Sequence, residues 1–249
     1  IDKDGRDRTA VCCLSSLNLE KYDEWKDDPN MIEDVMRFLD NVLSDFINKA
    51  PEQFRDAKYS AERERSVGLG VMGFHSFLQK HRIPLESVMA KSWNKKIFKQ
   101  INEQVNKASK DLAEERGACP DAAEYGFKER FSNKTAIAPT ASISIICGGA
   151  SPGVEPIAAN SYTHKTLSGS FNVRNRYLEE ILESHGKNDD ETWSTITTNQ
   201  GSVSHLDFLT DLEKDVFKTA FELNQKWIIE LSGDRTPYIS QAQSVNLFL

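Results

Sequence analysis

Residues Lys134 to Pro156 read KTAIAPTASISIICGGASPGVEP. The apolar run Thr135 to Ala138 has the length and side chains of a short buried strand, and Pro139 stops it because proline brings no N–H to a ladder. Thr140, Ser142 and Ser144 then set hydroxyls and free backbone N–H groups just beyond the strand end. A strand that runs into a hydroxyl-rich turn and a helix start offers unsatisfied donors and the positive end of a helix dipole, which together suit phosphate. The same letters also spell an ordinary capped turn, and no Walker pattern accompanies them. The stretch therefore predicts an α/β fold with a candidate anion cradle.

The whole chain has the composition of a water-soluble protein with a core, with 249 residues, 39% hydrophobic. A net charge of −7 argues against non-specific binding to duplex nucleic acid, which needs clustered Lys and Arg. No apolar run approaches the roughly 20 residues that span a bilayer. No signal peptide opens the sequence, so the expected location is cytoplasmic. The cysteines, at 12, 13, 119 and 147, have neither zinc-site spacing nor the density of a disulfide scaffold. The histidines at 75, 81, 164, 185 and 205 show no i,i+4 pairing, so neither a metal triad nor a Ser-His-Asp set is expected. The start at Ile1 and the stop at Leu249, inside an expected strand from Ser244, read as cut ends.

Upstream of the cradle, a polar loop leads to an expected strand at Ala10 to Leu14. Apolar residues from Ile32 to Ile47 recur at three- and four-residue steps, predicting a helix from a cap at Asn30 to about Lys49, with Pro51 beyond it. The charged stretch Arg55 to Arg65 reads as a solvated connection. Ser66 to Gly73 alternates glycine with aliphatic residues, as at a strand end where backbones approach closely or at a tight turn. It matches GxGxxG, but no acidic ribose ligand follows about 20 residues on, which disfavours a dinucleotide site. A long helix, with room for one break, is expected from about Glu86 to Arg116, with Trp93, Ile97, Ile101, Val105, Ala108 and Leu112 on one stripe and Gly117 at the exit. Downstream, Tyr177 to His185 reads as helix, Thr192 to Thr198 as strand, Leu212 to Leu231 as helix and Ser240 to Leu249 as alternating strand. Strands separated by helices predict a parallel α/β arrangement in one domain.

Several stretches, taken in order, resemble the class I ribonucleotide reductase large subunit. They are Ala10 to Leu19 (AVCCLSSLNL), Gly68 to Gly73 (GLGVMG), Leu112 to Pro120 (LAEERGACP), the Ala-Pro-Thr-Ala-Ser of the cradle with Val154-Glu155-Pro156, and Ser240 to Asn246 (SQAQSVN). The resemblance implies that residues 1–249 are the C-terminal half, or slightly more, of a ten-stranded α/β barrel built from two five-stranded halves. It also implies that Gly68 to Gly73 is a helix-packing glycine segment of that barrel.

By the same resemblance the chemistry is reduction of ribonucleoside diphosphates, begun by a thiyl radical and supplied with two electrons by a cysteine pair. Cys12 matches one member of the pair. Its partner cysteine, the radical cysteine and the tyrosine relay match no part of this sequence. Pro139, Thr140, Ala141, Ser142, Ile143 and Ser144 match the substrate diphosphate site, with Ala141 and Ile143 offering backbone N–H alone. The chain is expected to bind no cofactor of its own. A partner small subunit supplies the radical, an external dithiol resets the disulfide, the missing half-barrel completes the site, and large subunits pair as dimers. In a strand Cys12 and Cys13 point to opposite faces, so one of them faces substrate and the other packs. A vicinal Cys12–Cys13 disulfide is the competing redox arrangement and requires a strained turn. Cys119 reads as a packed loop thiol, Cys147 as a neighbour of the cradle, Glu20 as a solvated residue and Glu155 as an anchor for the loop's exit. The rival reading of the whole is a non-catalytic nucleotide-binding or assembly module on the half-barrel fold, which would have no reason to keep a thiol beside substrate.

Overall fold

The computed structural model describes residues 1–166 and 169–248. Its centre is a parallel sheet whose spatial order is its sequence order. Strand β1 (Leu14–Asn18) pairs with β2 (Gly68–Met72), from Leu14 opposite Gly68 to Asn18 opposite Met72. Next come Thr135, bridged to Leu69, and Ile137, bridged to Gln243, both in parallel. The α/β class is as expected. The sheet is open, not a closed barrel. Gly68 N–H donates to Cys13 O at 2.9 Å, so pairing reaches one residue before β1, but the strand proper begins where the expected one ends.

Glycine decides how near the sheet's strands lie. A methyl group at Gly68 would sit 2.5 Å from the Leu14 side chain and 2.9 Å from that of Ala136, and one at Gly70 would overlap the Ala136 carbonyl. These glycines serve strand-on-strand contact, which corrects the helix-packing role implied above. Leu69 and Val71, alternating with them, supply the buried apolar contacts.

The helices cover this sheet. Helix α1 (Tyr22–Trp25) follows β1, and α2 (Met31–Lys49) runs as the periodicity predicts, although the Asn30 side chain makes no capping hydrogen bond. The stretch expected to be a solvated connection is a helix, α3 (Arg55–Glu64), which buries Ala57, Ser60 and Ala61 beneath its charged face. After β2, Gly73 in a left-handed conformation (φ 77°) starts α4 (Phe74–Lys80). Helix α5 (Val88–Arg116) is unbroken, capped by the Ser87 side chain, and packs between α2 and the later helix Gln225–Arg235. Short helices α6 (Pro120–Glu124) and α7 (Ala141–Ile146) follow.

The chain then departs from the parallel scheme. Strands β3 (Ser161–Thr166) and β4 (Gly169–Arg174) form an antiparallel hairpin. Helix α8 (Arg176–Ser184) is as expected, but Thr192 to Thr198 is helical within α9 (Asp190–Thr198), whose first turn is capped by Asp189. The expected helix at 212–231 is two helices, α10 (Asp211–Val216) and α11 (Gln225–Arg235), separated by a turn that buries Ala220 and Leu223. Between Ser240 and Phe248 the sheet contact is confined to the Gln243 bridge and its flanking hydrogen bonds, and Leu249 lies outside the described residues.

Two apolar clusters result. The larger joins β1, β2, α2, α4 and α5, and the smaller joins α8, α9 and α10 around Trp193 and Phe217. A buried cluster of charges ties the outer helices of the first. The Asp40 carboxylate in α2 accepts from Arg65 Nε at 2.8 Å, Arg116 Nη1 at 2.8 Å and Arg130 Nε at 2.8 Å. Burial alone would raise this carboxyl, and the hydrogen bonds from Arg130 and Arg116 reverse that to hold it below its ordinary value. Arg65 has a left-handed backbone (φ 41°), held by its further bonds to Asp40 O and Ser44.

Candidate active site

Cys12 and Cys13 immediately precede β1 and differ in environment. Cys12 is exposed, whereas Cys13 is buried and donates its thiol to Leu39 O in α2 at 3.8 Å. Burial pushes the Cys13 thiol above its ordinary value. Alternation continues into the strand, where Leu14 is exposed and Leu17 is buried against the helices. Of the remaining thiols Cys119 is fully buried, with its pKa raised mainly by that burial, and Cys147 is exposed.

The cradle residues follow from the third strand. After Ile137, Pro139 ends the pairing and Thr140 takes a left-handed backbone (φ 53°) that turns the chain into α7. The first backbone bond into α7 runs from Ser144 N–H to Thr140 O at 2.9 Å. The N–H groups of Ala141, Ser142 and Ile143 have no acceptor among the described residues, as at any open helix start. The three hydroxyls are not equivalent. Thr140 is buried and its Oγ1 accepts from Gly153 N–H at 2.7 Å, and Ser144 is buried with Oγ donating to Ala141 O at 3.3 Å. Ser142 is the exposed one of the three. Thr140 thus braces the returning loop, while Ala141, Ser142 and Ile143 are exposed. Sequence reasoning did not separate these roles, because the signal is a backbone conformation that a threonine rarely adopts.

The loop's exit is anchored as expected at Glu155, whose Oε1 accepts from Asn246 N–H at 3.0 Å and Nδ2 at 2.8 Å. Other side chains of the final motif act similarly. Ser240 Oγ accepts from Lys134 and Thr135 N–H, both at 2.9 Å, and Gln241 Nε2 donates to Val67 O at 2.8 Å. Gln243 Oε1 accepts from Arg235 Nε at 2.7 Å. Arg235 also donates to Asn94 at 3.0 Å, and burial lowers its pKa to about 9. No sequence signal had marked Arg235. Glu20 was read as solvated and is buried instead, its carboxylate accepting from the Tyr177 hydroxyl.

The histidines whose side chains are described do not assemble a centre. His75 is buried with Nδ1 accepting from Ile157 N–H at 3.0 Å, and burial lowers its pKa to about 3, leaving it neutral. His81 lies beside Asp23 at 2.8 Å and His185 beside Glu213 at 3.0 Å. The side chain of His164 lies outside what is described. No group of three or more His, Cys, Asp or Glu arranged for a metal ion occurs among the described residues.

A parallel sheet covered by helices, with the exposed Cys12 just ahead of β1 and an open helix start after the third strand, defines an α/β protein. The family of the ribonucleotide reductase barrel domain matches residues 1–129 and 120–249, and the chain belongs to that family. It is 52% identical over 246 residues to the ribonucleoside-diphosphate reductase large subunit of Invertebrate iridescent virus 6, covering 97% of this chain and 25% of that protein. The corresponding protein of Invertebrate iridescent virus 3 is 46% identical over 244 residues, covering 97% of this chain and 38% of that one. Among solved structures, the class Id ribonucleotide reductase alpha subunit of Actinobacillus ureae superposes with a TM-score of 0.90 at 41% identity, over 98% of this chain and 45% of that chain. The chain thus spans less than half the length of these relatives.

Proposed function

We propose that this chain is the part of a ribonucleoside-diphosphate reductase large subunit that brings one redox cysteine, Cys12, and the substrate diphosphate cradle, Pro139 to Ser144, to a composite active site. Supporting this are the names of the relatives and the difference between two adjacent thiols. Cys12 is open to a reactant while Cys13 is packed against α2. Replacing a 2′ hydroxyl with hydrogen, the hydroxyl leaving as water, consumes two electrons and two protons. Two thiols supply both as they become a disulfide, and an external dithiol restores them. The radical that begins the reaction comes from a small subunit. The second redox cysteine and the radical cysteine come from the other half of the barrel, and the assembled large subunits pair. Deoxynucleotide synthesis of this kind belongs in the cytoplasm.

In the cradle, the N–H groups of Ala141, Ser142 and Ile143 and the Ser142 hydroxyl bind diphosphate oxygens, with Thr140 and Ser144 holding the loop in shape. The exposed Cys12 favours this reading over a non-catalytic assembly module, because a module that only binds gains nothing from an accessible thiol there.

The test is reconstitution. The 249-residue chain alone gives no deoxynucleotide, while the chain joined to the remainder of a large subunit, with small subunit and dithiol, turns over. In that assembly Cys12→Ser ends multiple turnover and Cys13→Ser leaves most of it. Full multiple turnover by Cys12→Ser would return the chain to the module reading.

A further inference from the structure

Cys12 sits on a short span that is held at its two ends. Downstream, Gly68 N–H donates to Cys13 O at 2.9 Å and joins the chain to the sheet. Ala10, Val11 and Cys12 themselves make no backbone hydrogen bond to any described residue, and of their side chains Val11 is the one packed against the core. The upstream hold is ionic. Arg8 grips the Asp121 carboxylate with both ends of its guanidinium, Nη1 to Oδ2 and Nη2 to Oδ1, the latter at 3.1 Å, and Thr9 N–H reaches Asp56 O at 3.4 Å. Asp121 stands in α6, none of whose residues is buried, and Arg63 of α3 ties that helix down by donating from Nε to Asp121 Oδ1 at 2.8 Å and pairing with Glu124. Around this pair, Lys3 meets Glu124, and the Tyr59 hydroxyl donates to Asp2 Oδ2 at 2.8 Å beneath Arg6.

The inner pair differs from the rim. The Arg8 and Asp121 side chains are 23% and 22% exposed, against 64% for Lys3, so water and salt screen the inner contact less. A two-pronged guanidinium–carboxylate contact also fixes direction as well as distance, which a lysine contact does not. Two cysteines join in a disulfide when their Cα atoms lie about 4.4–6.8 Å apart, a window of roughly 2 Å. Four residues of extended chain reach about 13–14 Å, so a span without hydrogen bonds of its own keeps a thiol inside that window through its moorings.

We propose that Arg8 and Asp121 are positioning residues for the Cys12 thiol, mooring the upstream end of its span so that the thiol stays where a partner cysteine can meet it. The role rests on the reading of Cys12 as a redox cysteine, whereas the mooring itself is measurable without turnover.

The first measurement places a nitroxide on Cys12 in the full chain carrying Cys147→Ser, the other two thiols being buried. Arg8→Gln and Asp121→Asn are expected to shorten the correlation time of the label at least about two-fold, and Asp121→Glu, which keeps the charge, to restore most of it. Lys3→Gln, at the rim, leaves the wild-type spectrum. The second is made in the assembled enzyme, where Arg8→Gln is expected to lower kcat at least about ten-fold, as for a reacting group displaced by an ångström or more, with KM for the diphosphate unchanged because the cradle is a separate element. Unchanged label motion in Arg8→Gln and Asp121→Asn, equal loosening in Lys3→Gln, or an unchanged kcat overturns the proposal. Full multiple turnover by Cys12→Ser overturns the redox reading instead, and is told apart because the label motion of the Arg8 and Asp121 variants is then still shifted.

Discussion

Arg130 and Asp40 meet through two side-by-side hydrogen bonds, Nε to Oδ1 at 2.8 Å and Nη2 to Oδ2 at 3.2 Å, and so fasten the segment after α6 to the middle of α2. Arg65 and Arg116 converge on the same carboxylate, which has no exposed surface. Asp40→Asn leaves three guanidiniums about one neutral amide, and removing one partner of a buried pair costs about 3–5 kcal/mol. Because the folded carboxyl titrates below its ordinary value of 3.8, its contribution is full above that pH and is lost as pH falls through the folded value. Urea unfolding as a function of pH checks both points: the wild type weakens below about pH 4, and Asp40→Asn starts weaker with that part of the pH response gone.

His75 contributes a separate acid response. Its folded pKa of about 3 lies below the ordinary 6.5, so between these values the unfolded chain binds a proton that the folded chain refuses. Stability therefore falls as pH drops from 6.5 toward 3, by up to about 1.4 kcal/mol per pH unit. His75→Asn keeps an acceptor for Ile157 N–H but cannot titrate, and its stability should be flat across that window apart from the carboxylate response. An unchanged slope in the variant would mean that the imidazole is not buried neutral.

The strand contacts make a sharp contrast between two glycines. Gly70→Ala forces a methyl group onto the Ala136 carbonyl and should destabilise by about 1–3 kcal/mol or more, since neither backbone can retreat without parting the sheet. Gly233, inside α11, has open space around it and no left-handed backbone, so Gly233→Ala should stabilise by up to about 1 kcal/mol. Thermal denaturation of the two variants side by side gives the sign of each effect.

Within the cradle, stability and binding should separate. Thr140→Val removes the acceptor of the buried Gly153 N–H and should cost about 1–3 kcal/mol of folding stability. Ser142→Ala, at an exposed position, should leave stability within about 0.5 kcal/mol and weaken substrate binding in the assembled enzyme by about 1.5–3 kcal/mol. Calorimetric unfolding and substrate titration of both variants decide the assignment, and an unchanged affinity in Ser142→Ala removes that residue from the site.

What the sequence made legible follows the strength of its periodicities. Helices α2 and α5 carry long apolar stripes and were readable almost to the residue, and the Thr135 to Thr140 transition announced itself through Pro139. Helix α3 hid because the face it buries consists of Ala57, Ser60 and Ala61, too small to make a stripe. Helix α9 resembled a strand through its threonines and Ile196, yet the Asp189 cap and the three-residue step from Trp193 to Ile196 are what the chain obeys. The β3–β4 hairpin alternates little and leaves Tyr162 and Phe171 exposed, so neither face signals a core. In the site, the cysteine contrast was legible from strand alternation. The burial of Glu20 was not, because its hydroxyl donor stands 157 residues away.

The coincidence of spatial and chain order in the sheet bears on how the molecule is made. As a ribosome delivers the chain from its N-terminus, β2 emerges to find β1 already present, the Thr135 to Ile137 segment finds β2, and Gln243 finds Ile137. No strand has to be threaded between two that are already joined, and each addition presents a fresh edge to the next. Gly68 and Gly70 then act as an assembly tolerance, since neither puts a Cβ of its own in the path of the segment at Ala136.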